Sequence, residues 1–600
     1  MRLGCALRFS SVVEKAVNHF DLCVLGAGQA GVSAAVRAWD FGKRVCVVNS
    51  GPVGGATVAT GALSSKVLWQ LSRQSRQHQR ISTRYDGGSS CGSQNLIFDE
   101  VQKAVAQAVE FKQNHMRHAL ESLEDRYRYS GKEAGGGGSL VALSEAKASF
   151  IDPLTVRAVR SSPSPEGEAA GEGVPGWGSG LKTAPDGHVY IRASNFLVAT
   201  GSRPRSLPSF PADGRFVLTS DHIGSLTELP KSMLILGAGV IGCEFATMFA
   251  NFGQTKVHLV NERRARLLPH EDEDLSFYVQ GIMEGAGVTV HNGVEVKGAQ
   301  VLESENCVEV ILGQVGVSPG QGEEFRVRTE KVLLSVGRVP NTDGLGLIEA
   351  ETGVELDKAG GIKTDAGTLK AKNAHHVLAA GDVTVDMGLV SVADMEGRHA
   401  VEEAFGTKNP STPLTYDSVS SIMFLRPEVS CVGMNETEAR RRGIAHKVAK
   451  LRLDVVNRVG IDWTLSHLEP HVDPDLCGYI KMIVTDDDKK RLLGMRAIGV
   501  DSSAVIQAAS LLIAGGHSVR DLESLLHPHP AVTEGVLECA RLLSGRSFYK
   551  PHVFDACTVS HYSSKGERRF ERVAVADEEE HPLVPSYLGE EGGGTTRSLS

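Results

Sequence analysis

Two clusters of glycines in this sequence have the spacing that lets a chain hold the phosphates of a dinucleotide. The pattern Gly-x-Gly-x-x-Gly occurs twice, at Gly26, Gly28 and Gly31 and at Gly237, Gly239 and Gly242. In this pattern the first glycine permits a tight turn, the second lets the backbone approach a pyrophosphate, and the third lets a helix pack closely on a strand. The phosphates then lie at the positive N-terminal end of that helix. One copy is weak evidence, but two copies predict two nucleotide-binding lobes.

The residues around both clusters predict the strand, turn and helix that this chemistry requires. Residues 21–49 read as a strand, a glycine turn, a helix and a second strand, and the same order begins again at residue 231. At the end of the second strand an acidic residue commonly binds the ribose hydroxyls, but Asn49 occupies that position here. An amide can still bond a hydroxyl, although without the strength of a charged partner.

In the second lobe the corresponding strand ends at Asn261, and the residues after it leave the choice of nicotinamide nucleotide open. Glu262 could bind the free ribose hydroxyl of NAD. Three nearby arginines could instead bind the 2′-phosphate of NADP, namely Arg263, Arg264 and Arg266. The second nucleotide is therefore expected to be NAD or NADP.

Length and composition describe a large globular chain. The 600 residues are 41% hydrophobic and 22% charged, which is enough apolar material for several buried cores. No apolar run approaches the ~18 residues that a transmembrane helix needs, so we expect no membrane span. The formal charge of −9 gives no electrostatic reason to expect a nucleic acid as a partner.

The cysteines and histidines predict no metal centre. The ten cysteines form no Cys-x-x-Cys pair and have no spacing typical of metal ligands, so we expect reduced thiols. His527 and His529 flank a proline, but no third ligand accompanies them.

Five further motifs accompany the glycine clusters. They are ATGSRP at 199–204, VGRVPNT at 336–342, AAGDV at 379–383, RPEVSCVG at 426–433 and HPHPAVTE at 527–534. With these motifs the sequence resembles, over roughly residues 20–550, the flavoprotein pyridine nucleotide–disulfide oxidoreductases. This family includes lipoamide dehydrogenase, glutathione reductase and the soluble pyridine nucleotide transhydrogenase. The resemblance implies an oxidoreductase that binds FAD in the first lobe and NAD or NADP in the second.

The resemblance also implies roles for individual residues. Lys66 and Glu244 would form an ion pair beside the flavin N5, and Asp382 would hold the FAD ribitol. Further cofactor contacts fall on the matching motif positions Gly55, Thr200, Gly201 and Gly337.

The chain departs from the family at its redox motif. Where the family has GGTCxNxGCxPSK, residues 54–66 read GGATVATGALSSK, so Thr57 and Ala62 replace both cysteines. Neither side chain can form a disulfide or attack one as a thiolate. Cys46 and Cys243 lie close to the glycine motifs in sequence, but they do not supply the missing pair. We therefore expect hydride to pass from the nicotinamide through the flavin directly to a second, small-molecule acceptor.

Several reactions are compatible with this departure. Another nicotinamide, as in the transhydrogenase branch, is the favoured acceptor, and a quinone or a dye, as in a diaphorase, is the next. Ser391 favours the transhydrogenase branch, because lipoamide dehydrogenase has His at this position. Overall similarity alternatively indicates a lipoamide dehydrogenase-like flavoprotein. The loss of both cysteines could also mark a non-catalytic interaction subunit.

His529 and Glu534 point back towards lipoamide dehydrogenase. They match the His and Glu that, in that enzyme, reach over from the partner subunit and protonate a thiolate. Without a thiolate, His529 could still donate a proton to another acceptor. Alternatively, the pair could serve only the packing between two subunits.

The expected architecture is α/β, with two Rossmann-like dinucleotide-binding domains and a C-terminal α+β dimerisation domain that makes the chain a homodimer. The FAD domain is expected at 21–230 and 346–414, the NAD(P) domain at 231–345 and the dimerisation domain at 415–550. Surface insertions rich in Gly and Ser are expected at 86–93, 131–139 and 161–180, and a disordered tail at 551–600.

The first residues resemble a mitochondrial transit segment, which we place at 1–20. They include Arg2, Arg8, Ser10 and Ser11, with no acidic residue before Glu14. A mitochondrial location is therefore expected, with a plain extension and a cytoplasmic location as the alternative.

Overall fold

The computed structural model describes the chain in eight segments. They are residues 16–85, 98–129, 138–161, 181–262, 266–384, 387–406, 414–466 and 477–570. Within them the chain forms the expected mixed α/β architecture, with two lobes built on parallel sheets and a C-terminal domain built on an antiparallel sheet. None of the helices in these segments combines the length with the apolar character that crossing a bilayer demands.

The first lobe is a mainly parallel sheet with an antiparallel edge strand, and helices cover it. Its strands are β1 (Val17–Leu25), β2 (Arg44–Val48), β3 (Ser139–Leu143), β6 (Val189–Val198), β17 (Lys370–Ala371) and β18 (Ala374–Ala379), in the order β17-β18-β6-β1-β2-β3. A hairpin of β4 (Ala146–Asp152) and β5 (Thr155–Arg160) continues from β6. The helices are α1 (Gln29–Asp40), α2 (Ala62–Tyr85), α3 (Phe98–Tyr129) and α6 (Val390–Phe405). β1 lies inside the sheet because its last four residues are all buried.

The second lobe repeats this plan. Its parallel strands are β8 (Val217–Thr219), β9 (Ser232–Leu236), β10 (Lys256–Asn261), β11 (Thr289–Asn292) and β15 (Lys331–Leu334), in the order β11-β10-β9-β15-β8. Helices α4 (Val240–Phe252) and α5 (Glu273–Gly285) pack on it. Three antiparallel strands are attached, namely β12 (Val294–Leu302), β13 (Cys307–Gln314) and β14 (Glu324–Thr329). A two-stranded ribbon of β7 (Ser202–Pro204) and β16 (Arg338–Pro340) runs between the lobes.

The C-terminal domain is a seven-stranded antiparallel sheet with helices on it. Its strands are β19 (Ser420–Met423), β20 (Val429–Gly433), β21 (His446–Arg452), β22 (Tyr479–Thr485), β23 (Leu492–Ile498), β24 (Cys557–Tyr562) and β25 (Arg568–Phe570), in the order β19-β20-β23-β22-β21-β24-β25. Its helices are α7 (Glu436–Arg441), α8 (Asn457–Ser466), α9 (Ser502–Gly515), α10 (Val519–Glu523) and α11 (Thr533–Leu543). The core lies between the sheet and α9 and α11, where Met482 and Met495 are fully buried.

The prediction of a disordered tail from residue 551 is wrong for its first part. β24 pairs antiparallel with β21, and β25 pairs with β24. Cys557 and Val559 enter the domain core, while Thr558 between them is exposed. Such alternation is the signal of a half-buried strand, but it covers only three residues here, which is too short to recognise among the surrounding polar residues. Residues 571–600 lie outside the described residues.

Three other predicted boundaries also differ from those in the structure. β8 joins the sheet of the second lobe, so that lobe begins before residue 231; a strand of three residues is too short to recognise by periodicity. Ser139, placed in an insertion, opens β3. β1 begins at Val17, inside the segment 1–20. The predicted insertion at 86–93, and nearly all of those at 131–139 and 161–180, lie outside the described residues, as does the chain before residue 16.

A buried cluster of charges joins the second lobe to the C-terminal domain. Lys481, on β22, has a side chain that is only 1% exposed. Its ammonium contacts three carboxylates, those of Asp272 at 2.8 Å, Asp274 at 2.7 Å and Glu436 at 2.9 Å. Asp272 and Asp274 lie at the start of α5 in the second lobe, whereas Glu436 begins α7 in the C-terminal domain. One lysine therefore forms ion pairs with carboxylates from both units.

Candidate active site

The first glycine cluster forms the turn between β1 and α1. Gly26 has φ +109°, and a Cβ there would lie 2.5 Å from the carbonyl oxygen of Ala199. A Cβ on Gly31 would lie 1.9 Å from the carbonyl oxygen of Gly26, so both positions require glycine. A Cβ on Gly28 would meet nothing within 4 Å, and no side chain caps the start of α1. This open space before a helix N-terminus fits the pyrophosphate of a dinucleotide.

The second glycine cluster has nearly the same geometry between β9 and α4. Gly237 has φ +106°, and its Cβ would lie 2.5 Å from the carbonyl oxygen of Ser335. A Cβ on Gly242 would lie 1.9 Å from the oxygen of Gly237, whereas one on Gly239 would meet nothing within 4 Å. Gly239 caps α4 without a side-chain hydrogen bond. The chain thus carries two phosphate cradles of the same design.

Asn49 and Asn261 stand at the ends of the second strand of each lobe, as expected. The Asn49 amide accepts a hydrogen bond from the backbone N–H of Ala27 at 3.1 Å and donates one to the oxygen of Gly51 at 2.5 Å. The carbonyl oxygen and the NH2 group of this amide can each make one more hydrogen bond, so Asn49 could still bind a ribose hydroxyl.

In the second lobe the Asn261 amide is used by the protein itself. It donates to the oxygen of Arg266 at 2.7 Å and to Asn292 at 3.1 Å. Glu262 follows β10, whereas Arg263 and Arg264 lie outside the described residues. The choice between NAD and NADP therefore stays a prediction from the sequence.

The structure brings Lys66 and Glu244 together across the junction of the two lobes. Lys66 is in the first turns of α2, Glu244 is in the first turns of α4, and their nitrogen and oxygen atoms are 2.8 Å apart. The Glu244 side chain is 6% exposed and that of Lys66 29%. A carboxylate this deeply buried needs its cationic partner, so the ion pair ties the two lobes together. The role of the pair beside a flavin stays a prediction.

The remaining predicted cofactor residues lie around the first cradle and the ribbon. A Cβ on Gly55 would lie 3.4 Å from the Cα of Gly28, so Gly55 borders the first cradle. Asp382 accepts a hydrogen bond from the Ser202 hydroxyl at 2.6 Å. Hydrogen bonds hold the predicted positions at the ribbon. The Thr200 side-chain hydroxyl donates to the backbone oxygen of Asn341. The backbone oxygen of Gly201 accepts from the N–H of Asn341, and that of Gly337 accepts from the N–H of Arg205.

Thr57 and Ala62 lie where the resemblance expects the redox cysteines. Thr57 is in a π-helical turn, Ala56–Thr60, and Ala62 begins α2 directly after Gly61. The described cysteines are all free, namely Cys23, Cys46, Cys243, Cys307, Cys431, Cys477, Cys539 and Cys557. Burial raises the pKa of the Cys46 thiol, and it raises that of Cys243 to about 12. Such thiols are poor nucleophiles.

A cleft of about 590 Å³ opens beside Thr57. The π-helical turn, α2 and α3 line it with Thr57, Val58, Leu63, Ala104, Gln107, Ala108, Phe111 and Lys112. Phe111 is 75% exposed, which is unusual for a large aromatic side chain. None of the sequence motifs indicated the α3 residues. Their spacing of four and three residues, Ala104, Ala108 and Phe111, marks one apolar face of a helix and is the signal that could have found them.

His529 and Glu534 form a pair in the C-terminal domain. The Nδ1 atom of His529 is 2.7 Å from Oε1 of Glu534, and the His529 side chain is 62% exposed. Burial acts to raise the pKa of Glu534, but the hydrogen bonds from His529 and from the N–H of Ala531 lower it below its usual value. The carboxylate can therefore orient the imidazole. Together with Asp454 and Asn457, His529 lines a cleft of about 580 Å³.

Two family models match this chain, and both describe the same family. A family model described as pyridine nucleotide-disulphide oxidoreductase matches residues 20–397, and the dimerisation domain of the same family matches residues 419–540. The chain is 28% identical over 541 residues to the dihydrolipoyl dehydrogenase of Bacillus subtilis (strain 168), covering 89% of this chain and 99% of the relative. It is 27% identical to the mitochondrial dihydrolipoyl dehydrogenase of Schizosaccharomyces pombe, covering 88% and 91%.

Solved structures share the fold. LpdA from Mycobacterium tuberculosis matches with a TM-score of 0.69 at 23% identity, covering 87% of this chain and 99% of LpdA. The HOCl-induced flavoprotein disulfide reductase RclA from Escherichia coli matches with a TM-score of 0.66 at 22% identity, covering 87% and 100%. At these identities the structural matches show a common fold.

Proposed function

Because the chain belongs to the pyridine nucleotide-disulphide oxidoreductase family, we propose that it is an FAD-dependent NAD(P)H oxidoreductase that reduces a small-molecule acceptor directly, without a redox disulfide. Family membership and the relatives named dihydrolipoyl dehydrogenase support a flavoprotein oxidoreductase that binds FAD and a nicotinamide nucleotide, and the dimerisation domain supports a homodimer. One observation carries the direct transfer. Two open glycine cradles are intact while Thr57 and Ala62 stand in place of the family's cysteines.

The chain's own residues have distinct tasks in this reaction. Bound FAD would supply the ring that accepts a hydride from the nicotinamide and yields an electron pair to the acceptor. Gly28 and the start of α1 would hold its pyrophosphate, and Gly239 and the start of α4 would hold that of the nicotinamide nucleotide. Lys66 would place a positive charge where negative charge develops, and Glu244 keeps the ammonium in position.

The cleft beside Thr57 favours a quinone-like acceptor. Its volume is in the range of small-molecule sites, and Val58, Leu63 and Phe111 offer apolar surface to a planar ring. The Thr57 hydroxyl could donate a hydrogen bond to a carbonyl oxygen of that ring. Transhydrogenation is the second candidate. It would use the cradle at Gly239 twice, first for the donor nicotinamide and then for the acceptor.

The electron capacity of the protein tests the absence of a redox disulfide. Anaerobic titration with dithionite is expected to bleach the flavin absorption band completely after about one two-electron equivalent per FAD, because only the flavin stores electrons. A disulfide in contact with the flavin would consume about one further equivalent. The double variant Thr57→Cys/Ala62→Cys is the matched control, and it should take up the second equivalent. Uptake of two equivalents by the natural chain would refute direct transfer.

Reoxidation of the reduced protein separates the candidate reactions. Rapid reoxidation by a quinone supports the diaphorase reaction, and rapid reoxidation by a thionicotinamide nucleotide supports transhydrogenation. Turnover of dihydrolipoamide above background would instead indicate that the protein is active as a dihydrolipoyl dehydrogenase. Protein that purifies without a flavin absorption band would favour a non-catalytic interaction subunit.

We also propose a mitochondrial location. It rests on the two arginines and two serines that precede the first acidic residue, Glu14, in a part of the chain outside the described residues. A fluorescent protein that carries residues 1–20 of this chain at its N-terminus should accumulate in mitochondria. A diffuse cytoplasmic signal would contradict the proposal.

A further inference from the structure

Phe424 touches both members of the Lys66–Glu244 ion pair. It follows β19 directly and therefore belongs to the C-terminal domain. Its backbone N–H donates a hydrogen bond to Oε1 of Glu244 at 2.9 Å, and its ring centroid lies 4.8 Å from Nζ of Lys66. The ion pair of the two lobes is thus completed by a residue from the third domain.

The ring of Phe424 is itself held in place. The ring of Trp69 packs against it edge-on, with centroids 5.2 Å apart and planes at 81°. The indole N–H of Trp69 donates a hydrogen bond to the backbone oxygen of Leu425 at 3.1 Å, and Trp69 is buried. Lys66 and Trp69 are three residues apart, so they share one face of α2. That face therefore contacts the Phe424 ring through two side chains and the backbone of Leu425 through one.

The two oxygens of the Glu244 carboxylate bind different partners. Glu244 uses Oε2 for the Lys66 ammonium and Oε1 for the N–H of Phe424, so both carboxylate oxygens have fixed partners. The ammonium contacts the carboxylate and also lies over the negative face of the Phe424 ring. Lys66 keeps 29% of its side chain exposed, which leaves room for a further contact.

We propose that Phe424 is a positioning residue that fixes the Lys66 ammonium. The ring restricts the ammonium on one side, and the backbone N–H fixes the carboxylate that holds it on the other. The effect on catalysis rests on the proposed function, whereas the effect on Lys66 itself does not. It follows that the packing of the C-terminal domain against the two lobes determines where the Lys66 ammonium lies.

The variant Phe424→Leu tests this role in the full-length protein. Leucine keeps the backbone N–H and most of the apolar volume but removes the aromatic face. We expect acylation of Lys66 by an amine-reactive ester, followed by peptide mass spectrometry, to become about threefold to tenfold faster because the ammonium is less restricted. In the holoprotein we expect kcat with NADH to fall about tenfold while KM stays within about twofold. The flavin reduction potential should also fall, because a fixed positive charge favours the reduced ring.

Two further variants separate positioning from general damage. Phe424→Tyr keeps the ring and should restore both the acylation rate of Lys66 and kcat. Phe277→Leu removes an exposed ring on α5, and it should change neither. Normal Lys66 acylation in Phe424→Leu, or equal defects in the Leu and Tyr variants, would overturn the proposal. Because acylation needs no acceptor and no turnover, this outcome is distinguishable from a failure of the proposed reaction.

Discussion

Replacing Gly239 with alanine is expected to weaken the binding of NADH and NADPH by ~10- to 100-fold while the protein keeps its fold and its FAD. A Cβ at this position meets nothing within 4 Å, so the chain can accommodate the methyl group without strain. The methyl group would occupy the space before the uncapped start of α4, where the pyrophosphate must approach the backbone. The variant should therefore lose affinity for NADH and NADPH, while the stability of the protein is unchanged.

The matching position in the first lobe provides the control for this prediction. Gly28→Ala meets the same empty space at the start of α1, so it should lower the FAD content while the melting temperature of the apoprotein is unchanged. Gly242→Ala should fail differently, because its Cβ would lie 1.9 Å from the oxygen of Gly237 and the turn could not form. Dissociation constants from flavin reduction, together with the flavin-to-protein ratio, check all three. Normal NADH and NADPH affinity in Gly239→Ala would show that the nucleotide binds elsewhere.

Lys481→Met is expected to lower the free energy of unfolding by ~3–5 kcal/mol at neutral pH. Methionine has a similar length, so the loss comes from charge. The three carboxylates of Asp272, Asp274 and Glu436 would remain together without the ammonium that now contacts all of them. Urea denaturation followed by circular dichroism checks the value. The control is Lys450→Met, whose side chain is 32% exposed and contacts only Asp274 of this cluster, so we expect a loss of about 1 kcal/mol or less.

The pH dependence of this loss identifies its cause. Burial acts to raise the pKa of Asp272, but the charge and hydrogen bond of Lys481 outweigh it and hold the pKa at about 2. A carboxylate with a lowered pKa in the folded state stabilises the protein above its unfolded pKa of about 4, and this contribution is lost as the pH falls towards 2. In Lys481→Met the crowded carboxylates should have raised pKa values and become protonated more easily. The deficit should therefore shrink between pH 7 and about pH 4. A deficit independent of pH would indicate a packing defect instead.

The parts of the site that local geometry determines could be predicted from the sequence. The cradles at Gly28 and Gly239 are made by residues a few positions apart, so their spacing specifies the turn. The contact between Lys66 and Glu244 joins residues 178 positions apart. No local pattern indicates it, and only the resemblance to a family predicted it.

Other features had no usable signal in the sequence. Phe424 binds Glu244 through its backbone N–H, a group that every residue except proline carries. Lys481 is a single charge inside the apolar strand β22, and its three carboxylate partners lie far away in the sequence. Phe424 meets Glu244, and Lys481 meets Asp272 and Asp274, only when separate domains pack together. Local periodicity cannot report such contacts.

The strands β24 and β25 change what the C-terminal sheet presents to other molecules. An uncovered sheet edge offers unpaired N–H and C=O groups on which a foreign strand can assemble, and this is a common start of aggregation. By pairing with β24, β21 no longer presents such groups. In the described part of the chain the outermost strand on this side is then β25, which has three residues and carries exposed Arg568 and Arg569. A short border of this kind, with two positive charges, resists the addition of further strands.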